Sequence, residues 1–400
     1  MAPRTYLFPR SRSGVPLAAS ATAVIGLAGL LAWPTVAAAH VKWFAPYIVD
    51  ASPQPISATL TNLWFWTGIC LVTVFFLATI AVERTRLGAA TLNGLNALTD
   101  TISRRADDFM RASIAAFFVA IFAVGGVYLT PELKTDSELI SWAQLAIAVG
   151  IFSRRTMPYS AAGILALWVL ALSDYDFFHL LDYLALGVGV AGYLFLASLD
   201  NPRWRESRFT ILVWGVAVAL MWSSLEKFAY PNWFYPLVEE RPFLTFGMPR
   251  DIFIPMAGVA EFTLGFGLLW TPLVRRLSAI SLLAIFIAAV YPFGRIDLVG
   301  HALIMAVLVL IAADHEPLRA ARVGTRPLFA GLARFAAVPT GLAAAMIVVV
   351  SAYWGTHAAF YGLNNSGLAE AGERSTHSYS PEHPHGPQRL IAVDALGTHD

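Results

Sequence analysis

Two stretches of the chain place ionisable side chains at the mouths of long apolar runs: Phe178-His179-Leu180-Leu181-Asp182-Tyr183, and Ile296-Asp297-Leu298-Val299-Gly300-His301. A titratable group in a lipid-spanning segment is costly, so each is a site hypothesis from the outset. His179 and Asp182 stand three apart, and Asp297 and His301 four apart, so each pair shares one helical face. A carboxylate beside an imidazole fixes its tautomer, as it does for ligating and proton-transferring histidines. Glu226 and Lys227 close a third run one turn after Trp222, and Glu261 lies inside a fourth. At 1.5 Å per residue, His301 falls about 7 Å and Glu261 about 13 Å inside the same membrane face. A carboxylic acid at mid-bilayer costs about 2.5 kcal/mol or more, which makes Glu261 the hardest of these residues to read as packing.

Three chemistries compete for Glu226, Lys227, Glu261, Asp297 and His301. In the first, Glu261 is held protonated by burial and passes protons outward through His301, with Asp297 and Glu226 beside it and Lys227 and Trp222 as contacts for a bound quinone. In the second, His301 ligates a transition metal such as copper or iron, with Glu226 or His179 as partner. In the third, Glu226 and Lys227 face headgroups and Glu261 makes a hydrogen bond between helices. In the other stretch, Asp174, Asp176, His179 and Asp182 line one turn and a helix entrance, either as a metal-entry site or as a solvated acidic loop. His40 adds a further metal candidate. Cleavage after Ala39 would join an α-amine to its imidazole, a pair that suits Cu(II). His377, His383, His385 and His399 collect in the polar tail, where they bind a metal weakly or simply sit in solvent.

The elements that must position these residues are membrane helices. Of the 400 residues, 57% are hydrophobic and 13% charged, against roughly 25% charged in a soluble domain. The expected fold class is all-α, a polytopic bundle of 10–11 transmembrane helices. Apolar runs fall at 16–38, 59–82, 109–129, 138–152, 157–173, 178–198, 209–226, 252–271, 275–291, 296–313 and 333–354. Placing the N-terminus in the cytoplasm puts most of the 27 Lys and Arg residues in inner segments, among them Arg154-Arg155 and Arg275-Arg276. The tail is then extracytoplasmic. Residues 83–108 form a cytoplasmic linker in which Leu92, Leu95, Leu98 and Ile102 keep helical spacing, as in a helix lying on the inner surface. Cys70 is the only cysteine, so disulfides and Cys-based zinc sites within one chain are excluded. There is no phosphate-binding glycine loop, HExxH, nucleophile elbow or nucleic-acid footprint.

The runs also repeat. Helices 109–129, 138–152, 157–173 and 178–198 match 209–226, 252–271, 275–291 and 296–313 in order. The arginine pairs, Gln144 with Glu261, His179 with Asp297, and Tyr183 with His301 stand at a nearly constant offset. Four helices per unit makes the repeats parallel rather than inverted, and predicts a polar pocket in each half. The expected divisions are 1–39, a signal peptide or first transmembrane helix; 40–108, an outer segment, helix and linker; 109–200 and 201–315, the two units; 316–355, a linker and last helix; and 356–400, a disordered tail.

The second unit resembles the DoxX-like family of four-helix membrane proteins over roughly 209–313. The features that carry the resemblance are Ser224-Leu225-Glu226-Lys227-Phe228, Glu261-Phe262-Thr263-Leu264-Gly265-Phe266-Gly267-Leu268-Leu269, Arg275-Arg276 and Gly300-His301. The first unit is similar but carries Gln144 where the second has Glu261. The resemblance implies a multi-pass protein of a bacterial inner membrane and, in some members, a subunit of redox assemblies linked to the quinone pool or to sulfur and oxidative-stress chemistry. The expected function is therefore a membrane redox component, of the oxidoreductase-subunit kind, with an outward-facing polar pocket for quinone or a metal. The alternatives are an extracytoplasmic copper- or metal-handling protein using His40 and the tail, and a non-catalytic membrane partner of a redox protein. The expected partners are the lipid bilayer and a redox protein or quinone, not nucleic acid.

Overall fold

A computed structural model describes residues 47–48, 51–314, 332–362, 375–377 and 388–389. The expected first segment, His40, the inner linker after Asp314 and most of the tail lie outside these residues. Among the described residues ten long helices make up the body: α1 (Leu63–Glu83), α2 (Arg86–Arg104), α3 (Ala106–Val124), α4 (Glu138–Gly150), α5 (Met157–Ala171), α6 (Phe177–Ser198), α7 (Arg208–Ser224), α8 (Arg250–Gly267), α9 (Pro272–Ala313) and α10 (Leu332–Tyr361). Short helices at Glu226–Ala229, Pro231–Phe234, Tyr235–Glu240 and Pro242–Thr245 form a cap between α7 and α8. Tyr47–Ile48, Ser375–His377 and Gln388–Arg389 pair as short antiparallel fragments.

The protein is an all-α polytopic bundle. Among the described residues, five helices are long and apolar enough to cross a membrane, and α4 and α5 are apolar but shorter. Helix starts follow the local chemistry. Asn62 Oδ1 accepts the backbone N–H groups of Trp64 and Phe65 at the head of α1, and Asp176 accepts that of His179 at the head of α6.

Helix α9 is a hairpin. Its 42 residues would span about 63 Å if straight. Instead Arg275 Nη2 lies 2.9 Å from Asp314 Oδ2, and Arg276 Nε donates to Ala312 O at 2.8 Å. The chain reverses at Pro292 and at Gly294, whose φ of 72° and ψ of −153° are open essentially to glycine alone. This turn separates the two helices expected at 275–291 and 296–313.

The two four-helix units pack crosswise. The last helix of the first unit, α6, lies against the first of the second, α7; the last helix of the second, α9, lies against the first of the first, α3. One apolar core runs through both units, from Met110, Ile114 and Phe118 to Leu282, Phe286 and Val307. Lipid is as apolar as leucine, so close packing rather than water exclusion must hold such helices together. At the α6–α7 crossing, a Cβ added at Gly215 would lie 2.7 Å from Ala185 O and from Gly189 Cα, so only glycine permits this approach. Helices α1 and α10 flank the second unit, while Leu95 of α2 packs on Leu273 and Leu277.

Two local expectations change. The run at 109–129 stops being helical at Val124 because Gly125 and Gly126 adopt φ of 71° and 59°. The residues after them fold back into the bundle, burying Val127, Tyr128, Glu132 and Leu133. The arginine pairs also differ. Arg275 and Arg276 are buried between α9, Asn96 and Thr99 of α2, and Asp314. Arg154 and Arg155 stay exposed, and Arg154 donates to the carbonyls of Ala197 and Leu199.

Candidate functional site

Where the two units meet, near the cap, their ends frame a partly open cavity of about 70 Å³. Asp182 and Tyr183 of α6 and Thr130 of the folded-in loop enter from the first unit. Ser223 of α7, Glu226, Lys227, Glu261 of α8 and His301 of α9 enter from the second. The sequence predicted one polar pocket per half; here one cavity draws on both. Phe117, Leu220, Phe286 and Ile304 supply apolar wall.

Each half contributes a carboxylate–imidazole pair. In the second, His301 Nδ1 lies 3.1 Å from Asp297 Oδ1, one helical turn away, and the Phe286 ring packs 4.7 Å from the imidazole. Asp297 is wholly buried and reaches the cavity only through His301. In the first, His179 Nε2 lies 3.1 Å from Glu132 Oε1, with both side chains 1% exposed. The Tyr183 hydroxyl, on the cavity wall, donates to the other oxygen of Glu132. Tyr175 stacks on His179 at 5.7 Å. Burial, and then the Glu132 charge, push the Tyr175 phenol well above its ordinary range, so it stays a donor to Lys134 O.

Between the pairs, Lys227 Nζ lies 2.5 Å from Glu261 Oε2, and Ser223 Oγ donates to Glu261 Oε1 at 3.2 Å. Glu226 is buried at the cavity edge. Trp222 Nε1 donates across the unit boundary to Asp182 Oδ1 at 2.9 Å. Helix α8 begins at Arg250, so Glu261 lies eleven residues in, about 16 Å along the helix axis. That is deeper than the apolar run alone placed it.

Glu226, Lys227, Glu261 and His301 therefore line one cavity, with Asp297 behind His301. Asp182 joins them from the other unit, and Trp222 holds Asp182. His179 stands behind Glu132 and Tyr183. Glu132 and Ser223 join the site without having stood out in the sequence. Glu132 sits in the short polar connection between the runs at 109–129 and 138–152, which reads as an outer loop; the Gly125-Gly126 pair before it was the available signal. Gln144, the register mate of Glu261, does not line the cavity. Its Nε2 donates to Val127 O at 2.5 Å and Tyr128 O at 2.6 Å, pinning the loop that carries Glu132.

Among the described residues, no group of three or more His, Cys, Asp or Glu side chains gathers as a metal cage. The acidic entrance disperses: Asp174 accepts from the Tyr128 hydroxyl at 2.6 Å, Asp176 caps α6 and accepts from Tyr361, and Asp182 turns to Trp222. His40 lies outside the described residues. The cavity is also about half the ~150 Å³ that houses a benzene ring in a dry protein core. A quinone ring does not fit in it as it stands; Lys227 lines it, and Trp222 reaches it only through its bond to Asp182. The wall is more apolar than polar, and its carboxylate, ammonium, hydroxyl and imidazole groups are partners for a few waters. No family model, characterised protein or solved structure matches the chain.

Proposed function

We propose that the protein is a membrane component of a redox system, and that the cavity between its two units is where it exchanges protons with the outer side. The observation that carries the proton chemistry is that two carboxylate–imidazole pairs, Glu132–His179 and Asp297–His301, each reach the same small cavity through one neighbouring side chain or ring. Each pair sets a carboxylate oxygen 3.1 Å from an imidazole nitrogen, a separation across which one proton can be passed. Tyr183 links the first pair to the cavity by its hydroxyl, and His301 opens the second directly onto it. Glu261, bonded by Lys227 and Ser223, is a carboxylate on the cavity wall itself.

The redox assignment and the bacterial inner-membrane setting rest on the resemblance of 209–313 to DoxX-like proteins. The outward orientation of the cap rests on the distribution of arginines. Infrared difference spectroscopy of the protein in quinone-containing proteoliposomes tests both parts. Deuterium-sensitive carboxylic-acid bands should change with pH and with reduction of the pool, and should be lost in Glu132→Gln or Glu261→Gln. Bands that titrate but ignore the pool would remove the redox link. Absence of any such band would remove the proton chemistry.

A further inference from the structure

A second space lies beside the first. It measures about 220 Å³ and opens under the cap among Gln54, Thr59, Asn62, Tyr235 and Arg250. Lys227 is the one residue that lines both spaces. Its ammonium belongs to the cavity side, 2.5 Å from Glu261 Oε2 and 5.1 Å from the centre of the Phe234 ring. Its stem is held close against α8, where a Cβ added at Gly258 would lie 3.1 Å from Lys227 Cβ and 2.7 Å from Phe228 Cζ. Lys227 thus stands on the boundary of the two spaces, with Phe228 beside it on the wall of the second.

We propose that this vestibule is the entrance to the cavity for water and small hydrated solutes, and that the Lys227 side chain closes it. The Lys227–Glu261 ion pair is the closed state. When the pair parts, the four-carbon stem is free to swing and the two spaces join. The vestibule walls carry charges of both signs, with Arg250 bonded to Glu239 and beside Asp251, so no single charge type is selected at the mouth. The inference deepens the reading of the cavity as a site of exchange with the outer side, and gives that exchange a route.

The sole cysteine makes the test direct. In a Cys70→Ala background, Ala219→Cys places a thiol on the cavity wall, and Ala161→Cys places one in the apolar core of the first unit as a reference. The readout is the ratio of their rates with a charged, membrane-impermeant thiosulfonate, so that general loosening does not count as opening. With Lys227 intact the ratio should be low. Lys227→Ala, or Glu261→Gln as the milder variant, should raise it about tenfold or more, because one buried ion pair holds the closed state. Adding Thr59→Trp to fill the vestibule should return it towards the parent. A ratio that neither variant raises, or one that Thr59→Trp leaves high, overturns the proposal. Thiol access and carboxyl titration are separate readouts, so an entrance without proton chemistry, or the reverse, would be recognised.

Discussion

At Glu132 a carboxylate 1% exposed meets His179 at 3.1 Å and accepts from the Tyr183 hydroxyl. Removing one partner of such a buried pair strands the other without solvent. Glu132→Ala should therefore lower stability by about 3–5 kcal/mol, whereas replacing both partners, as in Glu132→Leu with His179→Phe, should recover much of that loss. Denaturation in detergent measures both. Equal losses in the single and double variants would show that the pair is not the stabilising unit. The residues of the second unit carry a different prediction: Glu261→Gln and His301→Ala should abolish the pH-dependent carboxyl response, and removal of the chain after Gly362 should leave it intact. The second unit's site was legible in the sequence because Glu226, Lys227, Glu261 and His301 interrupt apolar runs at helical spacing. Glu132 was not, because a loop folded into a bundle carries no periodicity by which to recognise it.

Helices place these residues, and two glycines decide how. Gly294 turns α9 back on itself, which brings His301 under Phe286. Gly294→Ala should cost about 1–3 kcal/mol for its left-handed backbone, read as a lower melting temperature, with no effect expected if the turn is free to relax. Gly215 is the contact point of the two units. Gly215→Val would drive a branched side chain into Ala185 O and the backbone at Gly189. It should separate α6 from α7 and disturb the Trp222–Asp182 bond between them, visible as a red shift of tryptophan emission. Unchanged emission with unchanged stability would contradict so close a crossing. Apolar runs located nearly every helix, since length and hydropathy are local properties. They overran α3 by several residues, because Gly125 and Gly126 end it by backbone conformation rather than by polarity.

For the whole molecule, the duplicated pattern implied two parallel units, but it did not show that they pack crosswise around one space. Offsets along a chain fix which residues correspond, whereas the contacts of α6 with α7 and of α9 with α3 depend on shape complementarity between helices distant in sequence. Orientation is testable at this scale. Reporter fusions in the 199–207 segment should behave as cytoplasmic and fusions in the 241–248 segment as extracytoplasmic; the opposite pattern would turn the cavity inward. The central claim is that both halves serve one cavity. Its most direct test is histidine ring NMR on the reconstituted protein, comparing the His179 resonances with and without His301→Gln. The substitution in one unit should shift the ring resonances of the histidine in the other, and Tyr183→Phe should weaken that effect. His179 resonances unmoved by His301→Gln would mean two independent sites, and would contradict the shared cavity as a functional unit.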